Sequence, residues 1–118
     1  MGIILLGFEP DSFSQDYVEA TRALAPDMTI LVTRNLEEIK SVIGEVEIAA
    51  GSFPRELLPK ATSLRWVQQW GAGADWLMRY PEAAQMDFIL TNASGVHAIP
   101  ISEHIMALIL AFARKLCV

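Results

Sequence analysis

The sequence is poor in cysteine, histidine and basic charge, and each shortage closes a class of function. A single cysteine, Cys117, excludes an internal disulfide and a cysteine-built metal cluster, and its place near the end of the chain marks it as an incidental thiol. Nine Lys and Arg against 14 Asp and Glu leave a formal net charge of −5, and no basic run offsets it, which argues against a nucleic-acid partner. The two histidines, His97 and His104, lack metal-site spacing, and no HExxH pattern occurs. The apolar run 105–113 is about half of a bilayer span, too short to cross one. The first residues have no basic lead and are followed by Glu9 and Asp11, unlike a secretory signal. Leu6 stands where a myristoylation signal opening with Met1-Gly2 wants Ser or Thr. A cytoplasmic protein with no membrane and no metal is the expectation.

What is present is apolar. Hydrophobic residues make up 53% of the 118, above the usual share, and charged residues only 19%, below theirs. Such a chain buries unusually well or keeps a surface for a partner. Its length suits one domain with a real core. Residues 3–6 read as a buried strand stopped by Gly7 and Pro10. Ser12 or Ser14 is positioned to cap a helix to about residue 24, with Pro26 beyond it. A second strand covers 28–33. Asn35 is a natural N-cap, Glu37 and Glu38 suit the positive end of the helix that follows, and Gly44 closes it. A third strand spans 46–50, Pro54 starts a short helix to 58, and a fourth strand spans 64–69. Residues 74–78 read as a helical turn and 88–91 as a fifth strand.

Short apolar strands separated by helices predict an α/β, flavodoxin-like fold: a five-stranded parallel sheet, order 2-1-3-4-5, with helices on both faces. Ligands in such sheets bind beyond the carboxyl ends of the strands. Three of those ends carry small or polar groups: Gly7, Gly51-Ser52 and Gly71-Ala72-Gly73. The last helix, expected from Ile101, is different. Ile105, Met106, Leu108, Ile109, Leu110, Phe112 and Leu116 wrap well over half of its circumference, where a surface helix needs a stripe of roughly 100°. It is buried on most sides or covered by something outside this chain. Arg114 and Lys115 suit its negative end.

The segment Gly71-Ala72-Gly73-Ala74-Asp75 admits three readings. A dinucleotide fingerprint needs a third glycine where Trp76 stands, and Trp76 is too bulky for close strand–helix packing. A turn that needs only glycine flexibility is the bland reading. The third is a concavity of main-chain N–H groups that holds a small carboxylate, with Gly73 allowing its close approach. His97 and His104 are candidates for a general base, but no orienting carboxylate pairs with them, and local hydrogen bonding is the expected role. Trp66 is expected to face a core, while Trp70 and Trp76 flank the glycine loop as packing or as pocket walls. Neither Ser52 nor Ser94 lies in the Gly-x-Ser-x-Gly elbow of a serine nucleophile.

Taken in order, 64–68, Gly71-Ala72-Gly73-Ala74-Asp75, Ile89-Leu90-Thr91-Asn92-Ala93-Ser94-Gly95-Val96-His97, and Ile101-Ser102-Glu103-His104 with the helix to Arg114 resemble the D-isomer-specific 2-hydroxyacid dehydrogenases over about half of the chain. Within that family they are most similar to the phosphoglycerate dehydrogenase-like or glyoxylate/hydroxypyruvate reductase-like branch. The resemblance implies an amino-terminal substrate-binding domain over 1–100 and a connector helix over 101–118 leading to a separate Rossmann domain for NAD or NADP. In the family that second domain also holds the catalytic histidine, its glutamate and the substrate arginine. No catalytic residue therefore maps onto this sequence, His97 and His104 included. The expectation for this chain alone is neither tight NAD binding nor turnover of a 2-oxo or 2-hydroxy acid.

What carries over is Ala72 and Gly73 as main-chain donors to the substrate carboxylate, Ser52 and Phe53 as a loop bordering the substrate, and Ile101 as a position near the nicotinamide. Ala74, where the family usually has valine or isoleucine, and Trp76 depart from the pattern. A homo-oligomer through the apolar C-terminal helix is also expected. The alternative is a stand-alone flavodoxin-like binding or interaction module associating through that helix. A response-regulator receiver does not fit, because Gly51-Ser52 and Asn92-Ala93 stand where its aspartate and lysine belong.

Overall fold

The computed structural model describes residues 2–116; Cys117 lies outside them, as do Met1 and Val118. Five strands, β1 (Ile3–Gly7), β2 (Thr29–Val32), β3 (Val46–Gly51), β4 (Trp66–Gln68) and β5 (Ile89–Thr91), form a parallel sheet in the order β2-β1-β3-β4-β5. This is the expected α/β architecture. In register, Gly7 lies opposite Gly51 and Ala50 opposite Gln68, so the carboxyl ends of β1, β3 and β4 open side by side. Two glycines make that convergence possible. A Cβ on Gly7 would collide with the main chain of Ser52, and Gly51 adopts φ +88°, a conformation that other residues avoid.

Helix α1 (Gln15–Leu24) starts after Ser14. Ser12 instead belongs to a 3-10 turn (Pro10–Ser12), where its hydroxyl donates back to the Glu9 carbonyl at 2.9 Å. Helix α2 (Leu36–Val42) begins as its sequence dictates: the Asn35 Oδ1 accepts from the N–H groups of Glu37 (2.9 Å) and Glu38 (3.3 Å). Beyond Val42 the chain tightens into a 3-10 turn (Ile43–Glu45) through Gly44. The segments after β3 and β4 are also 3-10 helices, Arg55–Lys60 and Asp75–Arg79, followed by a single α-turn, α3 (Pro81–Ala84), which has no counterpart in the sequence reading.

The larger core cluster lies on one face of the sheet, while Ile4, Leu6 and Val18 are buried on the other. Ile3 and Leu5 of β1, Val46 and Ala49 of β3 and Val67 of β4 pack with Ile39, Ile43, Leu57, Leu58, Trp76 and Ala83. Side chains alternate across a strand, so Trp66, next to Val67, faces the opposite way. It is 40% exposed rather than facing this core, and its indole N–H donates to the Thr91 hydroxyl at 2.7 Å. Trp76 takes the buried place instead.

Helix α4 (Ala98–Ala113) begins three residues before the expected Ile101. Pro100 falls in its first turn, where no intrahelical N–H bond is lost, so proline does not delay the helix. It ends with Lys115 at φ 54°, the Leu116 N–H on the Ala111 carbonyl (3.0 Å) and the Lys115 N–H on that of Phe112 (3.1 Å). That is the Schellman closure, with lysine in the place glycine usually takes. No residue of α4 is buried. The Cα radius of gyration is 18.4 Å, against roughly 13–14 Å for a compact chain of this length, because α4 stands away from the body. No helix among the described residues is long and apolar enough to cross a membrane.

Candidate functional site

A cavity of about 430 Å³ opens at the carboxyl ends of β3 and β4. Ser52, Phe53, Gly71 and Gly73 line it, together with Arg34, Arg55, Gln69, Trp70 and Trp76. The structure thus brings three of the sequence-selected residues, Ser52, Phe53 and Gly73, into one concavity. Ala72 does not line it, although both of its neighbours do. Ile101 is exposed on α4 and does not line it. His97 and His104 are exposed on or before α4, and neither imidazole makes a hydrogen bond to another described residue, contrary to the expected local bonding.

The glycine loop has a consistent polarity. The Gly71 carbonyl accepts from the Gln69 side-chain Nε2 at 2.9 Å and from the Ala93 N–H at 3.4 Å. The Ala72 carbonyl accepts from Asn92 Nδ2 at 2.8 Å, and the Gly73 carbonyl from the same Gln69 Nε2 at 2.6 Å. Every carbonyl of the loop is engaged, while the N–H groups of Gly71, Ala72 and Gly73 donate to no acceptor among the described residues. Neither Gly71 nor Gly73 has positive φ. A Cβ on Gly71 would meet nothing within 4 Å, and one on Gly73 would meet only the Asp75 carboxylate tip. Backbone conformation therefore does not require glycine at either place, which removes the bland reading of a turn needing only flexibility.

Two cations border the loop. The Arg34 Nη2 lies 3.4 Å from the Ser52 hydroxyl and its Nε 4.0 Å from Glu9. The Arg55 guanidinium stacks over the Trp76 ring at 4.4 Å from its centroid. No local pattern in the sequence marks either arginine as a site residue, and Gln69 beneath the loop carries only a weak signal. Arg34 is 18 residues from Ser52, and only the β2-β1-β3 order brings them together. A polar residue ending an apolar strand just before the glycines was the one signal that could have singled out Gln69.

The residues present do not fit a dinucleotide. Trp76 is buried where the fingerprint needs a third glycine, and the element after the loop is a five-residue 3-10 helix rather than an α-helix. Among the described residues no group of three metal-ligating side chains forms. What the arrangement can do is hold a small anion: unused N–H groups at the loop, a serine hydroxyl opposite, and guanidinium charge at the rim.

No family model matches the sequence, and no curated protein matches it. Among solved structures, a D-isomer specific 2-hydroxyacid dehydrogenase family protein from Aeromonas salmonicida subsp. salmonicida A449 is similar at 30% identity and TM-score 0.69, over 98% of this chain. The phosphoglycerate dehydrogenase from Lactobacillus plantarum is similar at 24% identity and TM-score 0.60, over 96% of this chain. The chain spans 36% of the length of each. The fold is therefore that of a region of these dehydrogenases.

Proposed function

We propose that this chain forms the substrate-carboxylate half of a D-2-hydroxyacid dehydrogenase site, in an enzyme that exchanges hydride between NAD or NADP and a small 2-oxo or 2-hydroxy acid. The phosphoglycerate dehydrogenase-like or glyoxylate/hydroxypyruvate reductase-like branch is the one its loop resembles. The observation that carries this reading is the polarity of the loop, with all carbonyls engaged and the N–H groups of Ala72 and Gly73 left for a carboxylate. The Ser52 hydroxyl and the two arginines add donors and positive potential, and Phe53 walls the apolar end of the acid. Ile101 remains the position this reading sets near the nicotinamide, and binding of the cofactor falls to a Rossmann domain.

The test is a titration of the isotope-labelled chain with glyoxylate, followed by amide chemical shifts. Saturable shifts at Ala72, Gly73 and Ser52 with a dissociation constant of about 1–10 mM are expected for a few exposed hydrogen bonds to a small anion. Shifts that are absent, or that appear only on α4, reject the reading.

A second reading is favoured by α4 itself: an interaction module that associates through this helix. Ile105, Leu108, Ile109 and Phe112 are all exposed on it, and large contiguous apolar surfaces rarely stay solvated. The expected outcome in ultracentrifugation is a mass that rises with concentration and returns to the monomer in the double variant Ile105→Glu, Ile109→Glu. A monomer at high concentration that binds no hydrophobic dye rejects it.

A further inference from the structure

We propose that the side-chain amides of Gln69 and Asn92 are positioning residues that turn the loop N–H groups outward, an inference that rests on the carboxylate reading above. In a trans peptide, the C=O of one residue and the N–H of the next point in opposite directions, and the described residues have no cis bonds. Tying down a carbonyl therefore aims the following N–H away from the tether. Gln69 Nε2 holds the Gly71 carbonyl, which aims the Ala72 N–H, and the Gly73 carbonyl, which aims that of Ala74. Asn92 Nδ2 holds the Ala72 carbonyl, which aims the Gly73 N–H. The two amides thus divide the work: one sets Ala72, the other Gly73.

Each amide is itself held in one orientation by a group that can only donate. The indole N–H of Trp76 donates to Gln69 Oε1 at 2.7 Å, so the oxygen must face the tryptophan and the NH2 must face the loop. The Ser94 N–H donates to Asn92 Oδ1 at 3.1 Å, with the same result for Asn92. Gln69 is buried and its polar atoms are used, so its geometry has little freedom. Gln69 spends both hydrogens of one NH2 group on two carbonyls two residues apart, an arrangement that methionine, of similar length, does not reproduce. Trp76, out of place in a dinucleotide loop, acquires a purpose here. It locks the amide that shapes the loop, and the stacked Arg55 covers it.

The experiment compares the wild-type chain with Gln69→Met, Trp76→Phe and Asn92→Ala, first without ligand and then with glyoxylate. Without ligand, Gln69→Met should move the amide shifts of Ala72 and Ala74, and Asn92→Ala that of Gly73. The Gln69 side-chain NH2 resonances, slowed in exchange in the wild type, should lose that protection in Trp76→Phe. A general loss of stability would not sort the amides in this residue-specific way. With glyoxylate, Gln69→Met and Asn92→Ala should each weaken binding about tenfold, the order of one or two hydrogen bonds to a charged group. Asn92 is exposed, so Asn92→Ala keeps the test open should Gln69→Met unfold. Loop amides unchanged in the ligand-free variants overturn the positioning role. Loop amides changed as described, with no glyoxylate shift in the wild type, uphold the positioning of the loop and reject the carboxylate reading instead.

Discussion

On one face of the sheet, Ile3, Leu5, Val46, Ala49 and Val67 lie sealed beneath α2, α3, the 3-10 segments and Trp76. On the other, Ile4, Leu6, Ile48, Ala50 and Trp66 border an apolar groove of about 630 Å³ that α1 flanks with Tyr17, Ala20 and Leu24. An aromatic cluster edges it, with Phe8 stacked on Phe13 at 4.3 Å and Trp70 tilted against Phe8 at 5.5 Å. Both faces are apolar in sequence, as parallel strands covered on two sides are, yet only one is fully covered by the described residues. The proposed site sits at the carboxyl edge of the sealed face, where Gln69 follows Val67 in the strand alternation. Packing against a finished core is what lets the loop hold a single geometry.

Three substitutions sharpen or break this contrast. Leu58→Ala, on the sealed face, should cost about 3 kcal/mol by urea unfolding, because Leu58 is 1% exposed and its loss leaves a cavity. Gly71→Ala should raise stability by about 0.4–1 kcal/mol, since its φ suits alanine and the added Cβ meets open space. A loss of stability there would mean that the loop needs glycine for its conformation after all. Leu24→Ala, at the rim of the open groove and 87% exposed, should change stability by less than about 0.5 kcal/mol. Equal costs for Leu58→Ala and Leu24→Ala would abolish the distinction between the faces.

The sheet order was legible because each strand announces itself as a short apolar run and right-handed crossovers leave few ways to connect them. The Asn35 cap was legible for a local reason: the accepting oxygen and the N–H groups that donate to it lie within three residues. What escaped was set by distant partners or by weak local signals. The 3-10 segments are too short to show a helical period. Trp66 escaped because composition says that a tryptophan prefers cover but not which of two strand neighbours, Trp66 or Val67, receives it. In the site, Ser52 and Gly73 follow from loops at strand ends, and Phe53 from the family resemblance. Arg34 and Arg55 enter through tertiary placement, Gln69 through a hydrogen-bond geometry that no spacing rule encodes.

Helix α4 carries a consequence for cooperativity. A lone helix of 16 residues is marginal in water, and its stability ordinarily comes from packing one face. With no residue of α4 buried, its hydrogen bonds are expected to open almost independently of the sheet, as a separate unfolding unit. The backbone closure around Lys115 ends the helix from within, without help from the body. Anything that covers α4, a second copy included, would then raise the helix content of the chain as well as its mass, and secondary structure would become a function of protein concentration.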